Sequence, residues 1–300
     1  MKHSVKNTVM LFSAAIIWGF AFVAQSAGME YVGPFTFNAV RCVVGGLVLL
    51  PVAIYWGKGD GESWKNKDLL LGGGLCGLIL AFAMNLQQVG IMTTSVGKAG
   101  FLTALYIVIV PVLGLFFRKK CGVTVWIGVG CSLIGLYLLC MTGDSFHVAT
   151  GDWLLLASAL LFSIHILVID HFAPKVNGVQ LSCVQFLVAG ALSLILMFAT
   201  EEPALPALWD AKWSILYAGV LSSGVGYTLQ ILGQKNYNPT LAVLILSLES
   251  SFSVLGGFLI LKETLSGREL FGCALMFVAI VLAQLPGKKS KAVWEERSKD

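Results

Sequence analysis

The sequence predicts an all-α integral membrane protein with ten transmembrane helices, arranged as two inverted five-helix repeats. Three observations support this prediction: the composition, the spacing of the apolar runs and the internal repetition of the chain. Of the 300 residues, 57% are hydrophobic and only 12% are charged, and the mean hydropathy is +0.84. Soluble domains carry about 25% charged residues, so this composition indicates a chain that lies largely within lipid.

Ten apolar runs of about twenty residues are separated by polar or Gly/Pro-containing breaks, and each run is long enough to cross a hydrocarbon core of about 30 Å as a helix. A cleaved signal peptide is the alternative interpretation of the first run, because Lys2 and Lys6 precede it and small residues end it. The nine further runs favour a retained helix. The predicted spans lie near 9–28, 34–56, 68–90, 95–117, 122–141, 152–172, 178–199, 211–234, 240–261 and 268–286.

The chain also repeats itself. An offset of 142 residues aligns VLGLFF at 112–117 with VLGGFL at 254–259, and an offset of 144 aligns VRCVVGG at 40–46 with VQFLVAG at 184–190. The predicted repeats are therefore 1–143 and 144–287, followed by a charged cytoplasmic tail at 288–300. Because five is odd, the second repeat must enter the membrane from the opposite side, an arrangement that places a site near the midplane in secondary transporters.

The cations predict the orientation, because the cytoplasmic loops of membrane proteins are rich in Lys and Arg. If the N-terminus is cytoplasmic, the inner segments hold fifteen of the twenty Lys and Arg residues, and the outer loops hold only Lys212, Lys262 and Arg268. Ten spans then place both termini in the cytoplasm and the protein in the plasma, or inner, membrane. The net charge of +4 reflects this topology and attraction to anionic lipid, so no nucleic-acid partner is expected.

Neither a metal nor a nucleotide cofactor is expected. The seven cysteines show no metal-ligand or Cys-x-x-Cys spacing and are typical of small packing residues. The segment GIMTTSVGKAG at 90–100 lacks the Gly-x4-Gly-Lys-Ser/Thr spacing that cradles phosphates. Transport driven by ATP is therefore not expected from this chain alone.

Five runs across both halves carry a family resemblance: AAIIWGFAFVAQ (14–25), SVGKAGFLTALYIVIVP (95–111), WIGVGCSLIGLYLL (126–139), ILSLESSFSVLGGFLILKETL (245–265) and GCALMFVAIVLAQL (272–285). They resemble the ten-helix EamA family of the drug/metabolite transporter superfamily. The resemblance implies two inverted repeats around a central cavity, and export or exchange of small metabolites or drugs without ATP. One departure is Ser250, because the family usually has proline there. No proline kink is then expected beside Glu249, whereas Pro111 can still bend the fourth span.

Glu249 is the only charged residue of the 240–261 span and lies near its middle. A charge at this depth costs about 2.5 to 3.5 kcal/mol on insertion scales and marks a candidate site. Ser250, Ser253 and Gly257 follow at helical spacing, so the small and polar face is predicted to point inward with the glutamate. Two interpretations remain open: a protonated structural glutamate that hydrogen-bonds a neighbouring helix, and a group that couples transport to protons or contacts a substrate amine.

Nine other polar or aromatic residues within spans are candidate cavity residues. Each also has a structural interpretation: snorkelling to the interface for Lys98, packing or headgroup contact for Arg41, and core hydrogen bonding for His165. Gln88 and Gln230 occupy matching positions in the two repeats. They are interpreted either as a pair of gate residues or as residues that form hydrogen bonds at the helix ends. The full predicted set of substrate-binding or cavity residues is Trp18, Gln25, Arg41, Gln88, Lys98, Tyr106, His165, Tyr227, Gln230 and Glu249.

The predicted function is secondary transport of a small organic metabolite or drug across the plasma membrane by alternating access. The family resemblance implies export as the direction. Two cationic groups and one acidic group within spans suit a zwitterion such as an amino acid, and Glu249 is the candidate group for a coupling proton. The expected partners are therefore a small-molecule substrate, the lipid bilayer and this proton, while the oligomeric state is not indicated.

Two other function classes remain as alternatives. An intramembrane enzyme would draw on Ser163, His165, Asp170 and His171 of the sixth span, although no metal motif or oxyanion-donor arrangement accompanies them. A membrane sensor without transport is the second alternative. The internal repeat and the family resemblance favour the transporter over both.

Overall fold

The computed structural model of the protein describes residues 2–59, 64–93, 96–116, 122–140, 150–260 and 266–284. These residues are almost entirely helical, and this described part of the chain contains no β-strand. The helices in chain order are α1 Lys2–Gly28, α2 Pro34–Gly59, α3 Lys67–Ile91, α4 Val96–Ala104, α5 Tyr106–Phe116, α6 Val123–Cys140, α7 Thr150–Phe172, α8 Gly178–Thr200, α9 Leu205–Asp210, α10 Lys212–Leu216, a π-helix Tyr217–Gly226, α11 Tyr227–Gln234, α12 Pro239–Leu246, α13 Glu249–Ile260 and α14 Gly267–Gln284.

Among the described residues, eight helical segments are long and apolar enough to cross a membrane, judged by length and composition. A shorter apolar helix, Val123–Leu138, lies within α6, and α14 packs along it. Each of the ten predicted spans coincides with helical structure, and the prediction of an all-helical membrane protein is confirmed. The eight segments are Val5–Gly28, Pro34–Trp56, Lys67–Ile91, Ala99–Phe116, Thr150–Phe172, Gly178–Thr200, Lys212–Gln234 and Pro239–Ile260.

The two halves of the chain contact each other through pairs of helices that correspond between the repeats. Helix α2 packs along its counterpart α8, and α6 packs along its counterpart α14. Helix α3 packs against α7 and α8, while the π-helix and α11, which together are the counterpart of α3, pack against α1 and α2. Exchanging the halves reproduces these contacts, which fits the two-repeat architecture and is compatible with the predicted inversion.

Glycines allow the paired helices to approach closely. A Cβ atom on Gly46 of α2 would lie 2.9 Å from Cδ2 of Leu187 in α8, and one on Gly135 of α6 would lie 2.7 Å from Cγ of Met276 in α14. Helix association within lipid depends on close van der Waals packing, since lipid tails are as apolar as the helices. These small residues therefore determine how tightly the two halves fit.

The fourth and ninth spans each consist of two helices. Leu105 separates α4 from α5, and Ser247 and Leu248 separate α12 from α13. Backbone hydrogen bonds over three residues mark both breaks, from Leu105 N to Leu102 O at 3.3 Å and from Ser250 N to Ser247 O at 3.2 Å. The 142-residue offset aligns Leu105 with Ser247, so the breaks are equivalent positions of the two repeats.

Proline causes neither break. Pro111 lies inside α5 rather than at the break, and the break before Glu249 forms although Ser250 stands where the family usually has proline. The Ser247 hydroxyl donates a 2.9 Å hydrogen bond to the carbonyl oxygen of Leu244, and such side-chain bonds compete with regular helical ones. The sequence thus predicted an irregularity in the fourth span, which it attributed to Pro111, but it did not predict the break beside Glu249.

The eighth span, predicted as an ordinary helix, changes to a π-helix over Tyr217–Gly226. A π-helix bonds residue i to residue i+5 and is frequent at functional sites. Here the carbonyl of Ser222 accepts the backbone N–H of Tyr227 and also the indole N–H of Trp18 at 3.4 Å. The wider helix therefore turns backbone and serine groups toward α1 and α2.

A carboxylate ties the ends of α2 and α8 together. Glu201, which follows α8, accepts hydrogen bonds from the backbone N–H groups of Phe35 at 3.0 Å and Thr36 at 2.8 Å, and from the Thr36 hydroxyl at 2.6 Å. These are groups of the first turn of α2, which lack partners within the helix. The second repeat thus caps a helix of the first.

Candidate functional site

One cavity lies at the centre of the bundle, between the two repeats. Its wall is formed by α1, α2, α3, α7, the π-helix and α11, and by the broken spans α4–α5 and α12–α13. The space open to the centres of water molecules is about 40 Å³, which holds roughly three waters at about 10 to 15 Å³ each. Eight of the ten predicted cavity residues line it: Trp18, Gln25, Arg41, Tyr106, His165, Tyr227, Gln230 and Glu249.

Glu249 lies beside the break of the ninth span, as the first residue of α13. It is only 5% exposed, and its Oε1 accepts a 2.8 Å hydrogen bond from the hydroxyl of Tyr106. Tyr106 is in turn the first residue of α5, directly after the break of the fourth span. The amino end of a helix favours negative charge, so the break gives a carboxylate at this depth a partly compensated position.

Arg41 of α2 also lines the cavity and is 3% exposed. Its Nη1 donates to Oε1 of Gln25 at 2.9 Å, its Nη2 to Oγ of Ser222 at 3.4 Å, and its Nε to Oγ of Ser223 at 3.4 Å. All three partners are neutral groups. These contacts from α1 and the π-helix therefore fix the orientation of the guanidinium group. They do not neutralise its charge.

An aromatic wall stands between α1, α8 and α11. The rings of Trp18 and Tyr227 lie 4.6 Å apart between centroids, and Phe186 packs edge-on to Tyr227 at 5.2 Å. His165 contacts the same tyrosine ring at 6.0 Å. The predicted cavity residue Trp18 thus packs against another predicted cavity residue, Tyr227, and both line the cavity.

Unsatisfied acceptors and donors lie on the α7, α8 and α11 side of the cavity. His165 Nε2 and Gln185 Oε1 form a 3.1 Å hydrogen bond. His165 Nδ1, Gln185 Nε2 and Gln230 Oε1 are buried and have no partner among the described residues. Buried polar atoms without partners are rare in proteins and usually bind water or a ligand. His165 and Gln230 line the cavity, so this side can accept hydrogen bonds from a bound molecule.

The two remaining predicted residues are placed differently. Gln88 of α3 is fully buried, its amide has no partner among the described residues, and it does not line the cavity. Its neighbour Gln87 lines the cavity instead and donates to Oγ1 of Thr103 at 3.2 Å. Lys98 lies in α4, but its side chain is outside the described residues. Gln88 and Gln230 occupy equivalent positions in the two repeats, but only Gln230 lines the cavity.

Sequence reasoning missed several cavity residues. Gln87, Thr103 and Ser222 line the cavity although no sequence pattern singled them out. The Gly- and Ser-rich run from Gly219 to Gly226 could have pointed to Ser222 as a cavity residue. Such a composition within a membrane span permits irregular backbone structure beside a cavity. Gln87 and Gln88 differ only in the face of α3 on which they lie. The sequence alone does not show which of two adjacent glutamines faces the cavity.

The described residues contain no group of three or more His, Cys, Asp or Glu side chains that could hold a metal ion. The side chains considered for an intramembrane enzyme are engaged separately. Ser163 donates its hydroxyl to the carbonyl of Ala159 at 2.7 Å, while His165 pairs with Gln185 and His171 pairs with Lys175.

Comparison with known proteins gives one consistent result. The model described as the EamA-like transporter family matches residues 6–141 and again residues 149–285. A solved crystal structure superimposes with a TM-score of 0.79 at 20% identity, covering 94% of this chain and 99% of that chain, which indicates a shared fold.

Three relatives in sequence are named as transporters or related proteins. An uncharacterized transporter of Archaeoglobus fulgidus is 28% identical over 277 residues, covering 90% of this chain and 83% of the relative. A WAT1-related chloroplastic protein of Arabidopsis thaliana is 26% identical, covering 92% and 69%. The threonine/homoserine exporter RhtA of Escherichia coli K12 is 25% identical over 293 residues, covering 96% and 94%.

Proposed function

This chain belongs to the EamA-like transporter family, and on that premise we propose that it exports a small zwitterionic metabolite, such as an amino acid, by alternating access. It is a multi-pass membrane transporter, as the family and the apolar helices indicate. The substrate class, the direction and the coupling to protons are our proposal: the substrate class and the coupling rest on the cavity, and the direction rests on the family and on a relative named as an exporter.

The observation that carries the proposal is that one buried cation and one buried carboxylate line the same cavity. Arg41 and Glu249 both line the cavity, and the hydrogen bonds described for each are to neutral groups. Burying a charge is costly unless an opposite charge compensates it. A ligand with a carboxylate and an ammonium group supplies both compensating charges, one at each residue.

A relative supports the choice of an amino acid. RhtA is named for export of threonine and homoserine, and both molecules are zwitterions that also carry a hydroxyl group. The unpartnered acceptors His165 Nδ1 and Gln230 Oε1 suit a hydrogen-bond donor on the side chain of such a substrate. The same name supports export as the direction.

The size of the cavity and the position of the breaks support alternating access. A space of about 40 Å³ accommodates a few water molecules and no amino acid, so in this proposal the cavity opens when substrate binds. The breaks at Leu105 and at Ser247–Leu248 divide two spans beside the cavity. Discontinuous helices of this kind allow one part of a transporter to move relative to another around a fixed site.

Competition at Glu249 provides coupling in this proposal. One carboxylate cannot hold a proton and form an ion pair with an ammonium group at the same time. Substrate arriving from the cytoplasm displaces the proton, and a proton from outside displaces the substrate. Each state is favoured only by the ligand that binds it, so an inward proton gradient drives export.

The arrangement in the membrane is also proposed. Fifteen of the twenty Lys and Arg residues lie in the inner segments if the N-terminus is cytoplasmic. We therefore place both termini in the cytoplasm, the repeats at 1–143 and 144–287 in opposite orientations, and the protein in the plasma membrane.

The test uses purified protein in proteoliposomes loaded with unlabelled L-threonine, with radiolabelled L-threonine and any competitor added outside. The proposal predicts saturable counterflow that unlabelled threonine and homoserine inhibit. Two analogues are the matched controls: 1-amino-2-propanol lacks the carboxylate of threonine, and 3-hydroxybutyrate lacks its ammonium group. Both should inhibit at least tenfold less well. Equal inhibition by either analogue would contradict recognition of a zwitterion, and absence of counterflow for a broad set of amino acids would contradict the substrate class.

A further inference from the structure

A second, apolar groove lies outside the central cavity, between the end of α5 and the end of α7. Its volume is about 800 Å³, far larger than the central cavity. Apolar side chains of both helices form most of its wall, namely Leu113, Ile164, Leu167, Val168 and Phe172. Residues of α7 and of the turn that follows it close one end, and these carry the polar groups of the groove.

The polar end of the groove contains a positioned cation. The ammonium group of Lys175 lies 5.3 Å from the centroid of the Phe172 ring and donates to Nε2 of His171 at 2.7 Å. Both side chains are exposed at this end. Asp170 also lines the groove, but it already interacts with another group of the protein. An ammonium group has three N–H donors and His171 accepts one from Lys175, so further donors are available to an anion.

We propose that this groove binds an anionic glycerophospholipid of the cytoplasmic leaflet, with an acyl chain between α5 and α7 and the phosphate at Lys175 and His171. The apolar wall of the groove suits a hydrocarbon chain. The cation lies at one end of the groove only, where the headgroup of a lipid bound along the wall would lie. Basic pockets between transmembrane helices on the cytoplasmic side bind anionic headgroups in this way. The assignment of the leaflet rests on the proposed orientation.

Charge complementarity selects the anionic lipid over a zwitterionic one. Three more cations, Arg118, Lys119 and Lys120, follow α5 in the sequence within four residues of Phe116, its last residue. The outer loops of the proposed topology carry only three cations in total. The groove therefore opens at the membrane face where the chain concentrates positive charge.

The groove has a consequence for the broken span. Helix α5 begins at Tyr106, which bonds Glu249 in the central cavity, and Leu113 of the same helix lines the groove. A lipid bound between α5 and α7 stabilises the arrangement of these helices that holds it. A ligand that binds the native protein only must also raise its melting temperature.

The experiment measures the melting temperature of the full-length protein in detergent with added phosphatidylglycerol or phosphatidylcholine of identical acyl chains. Phosphatidylglycerol should raise the melting temperature by several degrees more than phosphatidylcholine, and glycerophosphate without acyl chains should have no effect. Lys175→Glu should abolish the excess shift. The matched control is Lys212→Glu, because Lys212 also lies over an aromatic ring, 4.7 Å from that of Trp209, but outside the groove.

A separate experiment tests whether the acyl chain of the lipid occupies the groove. Val168→Phe narrows the groove and should reduce the number of phosphatidylglycerol molecules retained in native mass spectrometry, whereas Leu160→Phe, an exposed position of the same helix outside the groove, should not. If Lys175→Glu fails to fold, Lys175→Gln and the mass-spectrometric comparison decide the question. Equal shifts with both lipids, an excess shift that survives loss of Lys175, or retention unaffected by Val168→Phe would each overturn the proposal.

Discussion

The hydroxyl of Tyr106 donates a 2.8 Å hydrogen bond to Oε1 of Glu249, and these residues are the first of the two helices that follow the breaks in the fourth and ninth spans. The bond therefore joins the two repeats at the wall of the cavity. In the proposed mechanism each broken span changes its bend next to this bond, so the contact would link what the cavity holds to the relative position of the repeats.

Replacing Tyr106 by phenylalanine removes this bond and leaves the ring. Interhelical hydrogen bonds in membrane proteins contribute on average about 0.6 kcal/mol and at most about 1.7 kcal/mol. We therefore expect a small decrease in melting temperature, but a several-fold slower efflux. Tyr237→Phe is the matched control, since the hydroxyl of Tyr237 bonds Thr8 at 3.1 Å away from the cavity. Equal slowing of efflux by both changes would show that the Tyr106 bond has only a structural role.

Replacing Arg41 by glutamine removes the proposed contact for the substrate carboxylate. The KM for a zwitterionic substrate should rise at least tenfold in proteoliposome transport. Arg41→Lys should restore only part of the affinity, because lysine cannot reproduce the fixed fork of donors that Gln25, Ser222 and Ser223 hold in place. An unchanged KM in folded Arg41→Gln protein would be incompatible with the proposed role.

Replacing Gly19 by alanine tests the packing of α1 on α13. A Cβ atom at Gly19 would lie 2.8 Å from the backbone oxygen of Glu249, so the two helices must separate, and overpacking of this kind costs about 1 to 3 kcal/mol. We expect a lower melting temperature and impaired transport. Gly74→Ala is the control, because a Cβ atom there meets nothing within 4 Å and alanine favours a helix by about 0.5 to 1 kcal/mol. Equal stability of the two variants would contradict the close approach.

The orientation can be tested by cysteine labelling in a protein whose native cysteines have been replaced. A cysteine in the 142–151 loop should react with an impermeant thiol reagent added outside intact cells, and one in the 57–67 loop should react only after the membrane is permeabilised. The reverse pattern would place the N-terminus outside and contradict the cation distribution on which the topology depends.

The transmembrane helices could be predicted from the sequence because apolar length is a direct physical requirement for crossing a bilayer. The irregularities within them could not. The break before Glu249 depends on a serine hydroxyl bonding its own helix, and the π-helix at Tyr217–Gly226 depends on packing against α1 and α2. Such hydrogen bonds and helix contacts compete closely with the regular α-helix, so no hydropathy pattern records them.

The cavity was partly predictable for a related reason. A charged residue within a membrane span is costly, so Arg41 and Glu249 were identifiable by their position within spans, and both line the cavity. Neutral polar residues carry a weaker signal, because a glutamine can be buried on any face of a packed helix. Gln87 reaches the cavity while Gln88 does not, and only the helix rotation in the bundle distinguishes them.

The central claim is that Glu249 exchanges a proton for the substrate, and transport by Glu249→Gln in proteoliposomes with and without a pH gradient tests it most directly. Glutamine keeps the size and hydrogen-bonding capacity of a protonated glutamate, so the variant should fold and still bind threonine through Arg41. His165→Gln is the control, because His165 also lines the cavity and histidine is a side chain that commonly takes up and releases protons. The account predicts that a proton gradient accelerates efflux by the wild type and by His165→Gln, but not by Glu249→Gln. Wild-type dependence on the gradient in Glu249→Gln would contradict the claim and leave the glutamate a structural residue.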